Sequence, residues 1–175
     1  MKTEIKMEYL GGERKNTLKN DLAAMKIALI SALQSKDPST QVGACIENNN
    51  RIVSTGFNHN PFNWDSKSFP WRNDASNIGE ENTKYPYVIH AELDAISKCS
   101  DMRLLDGSTI YVTLFPCVQC SKLIVSFGIK KVIYGEYRDS IENECSRRLL
   151  EKCGVEVIQS KDLEKETVVI RLGSR

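Results

Sequence analysis

The sequence predicts an α/β domain on a mixed sheet with helices on both faces. Two observations carry that expectation. Short β-branched apolar runs alternate with helically spaced apolar residues along most of the chain. The first two runs adjoin each other as a hairpin, whereas the later ones are separated by helical segments.

In chain order, residues 1–16 are charged and read as a flexible N-terminal arm, with Gly11-Gly12 as a joint. Residues 17–175 read as one folded domain. Leu22, Met25, Ile27, Leu29, Ile30 and Leu33 give Leu18 to Leu33 the spacing of an amphipathic helix that stops before Pro38. Val42 to Glu47 is a strand, Asn48-Asn49-Asn50 a turn, because Asn tolerates positive φ, and Arg51 to Gly56 the returning strand. Asn58 to Tyr87 is long, irregular and rich in Asn, Pro, Ser and Trp, the profile of a functional loop. His90 to Cys99 is expected as a helix, Thr109 to Phe115 as a strand and Cys117 to Phe127 as a helix. Lys131 to Tyr134, Ser140 to Lys152 and Val155 to Ile158 then read as strand, helix and strand. The apolar run Val168 to Ile170 is a candidate further strand.

Composition excludes several functions. The chain has 175 residues, with 24 Lys+Arg against 23 Asp+Glu, for a net charge of +1. That balance argues against a polynucleotide binder, which carries a basic face. No run approaches the roughly 20 apolar residues of a membrane span. The first residues carry no apolar signal core, so the sequence points to the cytoplasm. Cysteines in a reducing compartment more often serve metal or catalysis than disulfides.

The chemistry lies at two expected helix starts. One is His90-Ala91-Glu92, the other Pro116-Cys117-Val118-Gln119-Cys120. Cys117 and Cys120 are three apart and share one side of a first helical turn. One imidazole and two thiolates suit Zn²⁺, and three protein ligands leave a fourth position for water, the catalytic arrangement. The ligand set is therefore His90, Cys117 and Cys120. Glu92, two residues on, is placed to take a proton from water and deliver it to substrate. A lone C-x-x-C also occurs as a redox pair or a structural zinc knuckle, the latter needing a fourth ligand from Cys99, Cys145 or Cys153. H-x-E followed by P-C-x-x-C is the signature of the zinc nucleobase deaminases.

Beyond the zinc motifs, the sequence resembles the deoxycytidylate (dCMP) deaminase family. The likeness runs through Ser35-Lys36-Asp37-Pro38, Gln41 to Ile46, Thr83-Lys84-Tyr85-Pro86-Tyr87-Val88, Tyr111 to Cys117 and Cys120 to Ile124. It covers roughly residues 20 to 160, and Pro70-Trp71-Arg72 together with Lys84-Tyr85-Pro86-Tyr87 places it nearest the eukaryotic and viral type. The resemblance implies a three-layer α/β/α cytidine-deaminase-like fold with a mixed five-stranded sheet. It implies hydrolysis of dCMP to dUMP and ammonia in pyrimidine deoxynucleotide metabolism. It also implies a homo-oligomer, a hexamer, with dCTP as activator and dTTP as inhibitor. By the same resemblance the Ala91 N–H holds the pyrimidine O2 and Asn58 the sugar 3′-hydroxyl, the alternative for Asn58 being an ordinary turn residue. Arg72 and Lys36 are the candidate phosphate contacts, against the alternative of solvated surface cations.

The sequence departs from the family pattern at two places. Asp94 stands where H-A-E-L-N-A has Asn, either altering a hydrogen bond or lying harmlessly on the helix surface. His59 closes Gly56-Phe57-Asn58-His59 where regulated members have G-Y-N-G, and the bulky Asn60-Pro61-Phe62-Asn63-Trp64 follows. These departures leave open a 5-substituted dCMP, dCTP or cytidine as substrate, and weakened dCTP activation. A different class is a non-catalytic, zinc-stabilised interaction protein of the same fold. Cys45, Cys99, Cys145 and Cys153 are expected in the core, and Tyr134 and Tyr137 as core or rim aromatics.

Overall fold

A computed structural model describes residues 2–5, 19–61, 71–74, 76, 79–160 and 167–170. Its centre is a five-stranded sheet in the order β3-β2-β4-β5-β6. β2 (Gly43–Asn48) and β3 (Arg51–Phe57) form the expected hairpin, turning through Asn49 and Asn50 at φ 51° and 62°. Positive φ at both central residues gives the turn the twist of its flanking strands. β2 also pairs antiparallel with β4 (Thr109–Leu114). β4, β5 (Lys131–Glu136) and β6 (Glu156–Gln159) run parallel. The sheet is therefore mixed, as the chain order of the elements predicts.

Strand alternation splits the core in two. Ala44, Ile46, Ile110, Val112, Val132 and Tyr134 face one side, and Cys45, Tyr111 and Ile133 the other. α1 (Asn20–Ala32) covers the second side with Ala24, Met25 and Ala28, whose spacing makes one helical stripe. A Cβ at Gly43 would strike the backbone of Ala28 and Ala32, so this helix lies close on β2. α2 (Ala91–Ser97), α3 (Val118–Ser126) and α4 (Ile141–Lys152) fill the first side around Ala91, Ala95, Ile96, Ile124 and Leu150.

Three helices, those expected from His90, Cys117 and Ser140, begin one residue later than the periodicity suggests. His90 and Cys117 are the extended N-caps of α2 and α3, at φ/ψ of −75°/153° and −69°/169°. Short 3₁₀ turns at Glu80–Asn82 and Met102–Leu104 carry no periodicity signal in sequence. Within the expected arm, β1 (Lys2–Ile5) pairs in parallel with β7 (Thr167–Ile170), which contains the candidate strand Val168 to Ile170. The Gly11-Gly12 joint, Phe62 to Trp64 and Pro70 lie outside the described residues.

One expectation fails. Cys45 and Cys99 are buried, but Cys145 and Cys153 are exposed. α4 turns Ser146 and Leu150 inward; Cys145 lies off that stripe, and Cys153 is the C-cap, past the last residue of the helix.

Candidate metal and active site

The two motif segments meet where β4 gives way to α3 and where α2 begins. His59 and Ile89 form a bridge through two backbone hydrogen bonds of 3.1 and 2.9 Å, which delivers the chain to His90. Phe115, Pro116 and Cys117 leave the end of β4, the edge at which α/β sheets place their ligands. Nδ1 of His90 lies 3.5 Å from Sγ of both Cys117 and Cys120. The three ligand atoms lie within 4.8 Å of one another, and they form the one such group among the described residues. One imidazole nitrogen and two sulfurs at this spacing fit a zinc ion. Cys99, Cys145 and Cys153 bring no fourth ligand to the cluster.

Of the three, only Cys117 is driven by its neighbours toward the ligand form, a thiolate. The Cys117 thiol is pushed down to about 4, first by the hydrogen bond from Cys120 and also by His90. His90 is raised to about 9, chiefly by its bond to Cys117. Cys120 is pushed up, because Cys117 holds its proton and burial opposes its charge. A divalent cation against both sulfurs turns that local order over and makes both thiolate.

Glu92, in the first turn of α2, is only 4% exposed. Burial raises its pKa, opposed by the nearby His90, and a hydrogen bond joins it to Cys120. A carboxyl whose pKa is raised from the ordinary carboxylate range is suited to carrying a proton in either direction.

The other expected contacts are placed less uniformly. Ala91 is fully buried at the start of α2, where helix geometry leaves its N–H without an intrahelical acceptor. Asn58 is buried and tied into the protein. Its Oδ1 accepts from the Val42 N–H at 2.8 Å, and its Nδ2 donates to the Thr40 carbonyl at 2.9 Å and to Asp37 at 3.4 Å. One Oδ1 lone pair remains for a further donor. Lys36 and Arg72 are both exposed. Tyr134 is buried and packs with Tyr137 and Phe115 beneath the Arg147 guanidinium, so these aromatics are core and rim.

The cation that sequence reasoning missed is Lys84. It is buried, and its Nζ lies 2.5 Å from Asp37 Oδ2, while its backbone N–H donates to the Arg72 carbonyl at 2.8 Å. Asp37 also accepts from the Ser39 and Thr40 N–H groups at 2.9 and 3.2 Å. Lys84 thus joins the segment before His90 to the segment after α1. The Lys-Tyr-Pro-Tyr run two turns before His90 was the available signal.

The two departures from the family pattern meet in space. His59 Nε2 lies 3.0 Å from Asp94 Oδ1. Asp94 is buried, which removes the helix-surface alternative for it.

Residues 18–136 match the family described as the cytidine and deoxycytidylate deaminase zinc-binding region. The chain is 46% identical over 136 residues to the human deoxycytidylate deaminase, spanning 75% of this chain and 74% of that one. It is 30% identical to the deoxycytidylate deaminase of Enterobacteria phage T2, spanning 82% and 94%. Among solved structures it is similar to the dCMP deaminase of cyanophage S-TIM5 in complex with dCMP and dUMP. That similarity has a TM-score of 0.64 and 30% identity, over 82% of this chain and all of that one.

Proposed function

Because the chain belongs to the zinc-dependent cytidine and deoxycytidylate deaminase family, we infer that it hydrolyses dCMP to dUMP and ammonia. The single observation that carries the chemistry is a buried Glu92 carboxyl set against the His90, Cys117 and Cys120 cluster. Those three residues hold the metal. Zinc supplies, when bound, the Lewis acidity that makes water a nucleophile at neutral pH. Glu92 takes a proton from the attacking water and delivers it to N3 of the ring. It passes a second proton to the departing nitrogen as water's oxygen replaces the amino group at C4. The Ala91 N–H holds O2 of the pyrimidine. Asn58 offers its free lone pair to the sugar hydroxyl, and Lys36 and Arg72 face the 5′-phosphate from solvent.

Residues 17–175 form the deaminase domain behind the arm 1–16. The enzyme works in the cytoplasm and, by the family resemblance, as a homo-oligomer, a hexamer, with dCTP and dTTP as effectors. His59, which narrows the backbone freedom of its loop relative to Gly, weakens dCTP activation. A titration of dCTP at subsaturating dCMP checks this, and a large fall in apparent KM counts against it.

The deciding experiment is a substrate panel of cytidine, deoxycytidine, CMP, dCMP, dCTP and 5-methyl-dCMP, followed by loss of cytosine absorbance. dCMP is expected to give the highest kcat/KM, and preference for any other member overturns the assignment. Glu92→Ala keeps its zinc and loses about 10²–10⁴-fold in kcat. Full turnover in that variant refutes the catalytic role.

A further inference from the structure

Asp94 lies one turn beyond His90 on α2 and ties that helix to the end of β3. Its carboxylate accepts from the Phe57 N–H at 3.1 Å, from Lys98 Nζ at 2.7 Å and from His59 Nε2 at 3.0 Å. The other edge of the His59 ring is held as well, with Nδ1 2.7 Å from the Asn60 carbonyl. The imidazole is thus held at both of its ring nitrogens. The His59 backbone pairs in both directions with Ile89, the residue before the metal ligand His90. The Asp94 N–H closes the loop on the His90 carbonyl at 2.9 Å. His59 therefore grips the entry to α2 twice, by main chain at Ile89 and by side chain at Asp94.

We propose that His59 and Asp94 are positioning residues that act as one unit. Together they fix the angle and depth at which α2 enters the site, and with them His90 and Glu92. The proposal rests on the deaminase reading above. Neither side chain need touch substrate. Their effect is exerted through the two residues that do the chemistry, for which small displacements carry large rate costs.

The test uses the zinc-loaded enzyme with His59→Ala, His59→Gln, Asp94→Asn and the double variant His59→Ala/Asp94→Asn. Gln offers an amide N–H near the place of Nε2, and Asn keeps the volume of Asp94. His59→Ala is expected to lower kcat for dCMP by about 10–100-fold while KM and zinc content stay near those of the parent. His59→Gln recovers most of the loss. The double variant falls no further than its worse single parent, because partners in one unit are not additive. In the cobalt-substituted protein, His59→Ala shifts the visible bands of the thiolate-bound metal. A parental kcat in His59→Ala overturns the proposal, as does an effect on KM alone, a Gln variant no better than Ala, or additive losses. If the parent enzyme itself leaves dCMP unchanged, the substrate reading falls. The cobalt spectrum then still decides the positioning claim, and unshifted bands refute it.

Discussion

Lys84 and Asp37 show what a single buried residue contributes and why sequence hid it. Each is almost inaccessible to solvent, with side-chain exposures of 7% and 2%. A buried pair is weak evidence of net stability, but breaking one leaves an uncompensated charge. Lys84→Met is expected to destabilise the protein by about 3–5 kcal/mol in urea unfolding. A cost within error of zero would show the pair to be open to water. Cysteine reactivity separates the remaining thiols. Burial, reinforced by Glu47, pushes Cys45 up to about 12, whereas Cys145 and Cys153 are exposed. Iodoacetamide followed by mass spectrometry is expected to label Cys145 and Cys153 in the folded protein and Cys45 only after unfolding. The His90, Cys117 and Cys120 cluster and Glu92 were legible because the spacing within each motif is local, two or three residues on a helical turn. Lys84 was not, because its partner lies 47 residues away.

At the scale of elements, the decisive contact is α2 against β3. A Cβ at Gly56 would run into the backbone of Ala91 and Ala95, and the Ser54 hydroxyl donates to the Ala95 carbonyl at 2.5 Å. Backbone cannot yield as a flexible side chain does, so Gly56→Ala must push α2 off the sheet. The expected cost is about 1–3 kcal/mol, read as a lower denaturation midpoint, with weaker zinc retention because His90 moves with the helix. Unchanged stability would mean that the helix slides freely. α3 is fixed differently. Ser146 on α4 donates to the Pro116 carbonyl at 2.7 Å and shares a hydrogen bond with Ser121 at 2.6 Å. The periodicity of both helices was readable, but which small residues face each other was not.

At the scale of the molecule, the metal cluster joins α2 to α3, two helices whose ligands come from separate stretches of chain. A ligand that binds only the folded state adds to its stability. Chelation is therefore expected to lower Tm, and added zinc to restore it, with Glu92→Ala behaving like the parent in this assay because it is not a ligand. A Tm indifferent to chelator would mean that the metal does not bridge the helices.

The sequence by itself determined the succession of strands and helices, the hairpin turn, the metal-binding residue types and the acid beside them. Each of these follows from periodicity, turn chemistry or spacing within a few residues, which are local properties. Only the tertiary structure decided that Asp37 meets Lys84, that His59 meets Asp94, and that Cys145 and Cys153 face water. Those outcomes depend on how sheet register and helix docking bring distant segments together. No local pattern carries that information, because each pairing is satisfied only when both partners lose water in the same place.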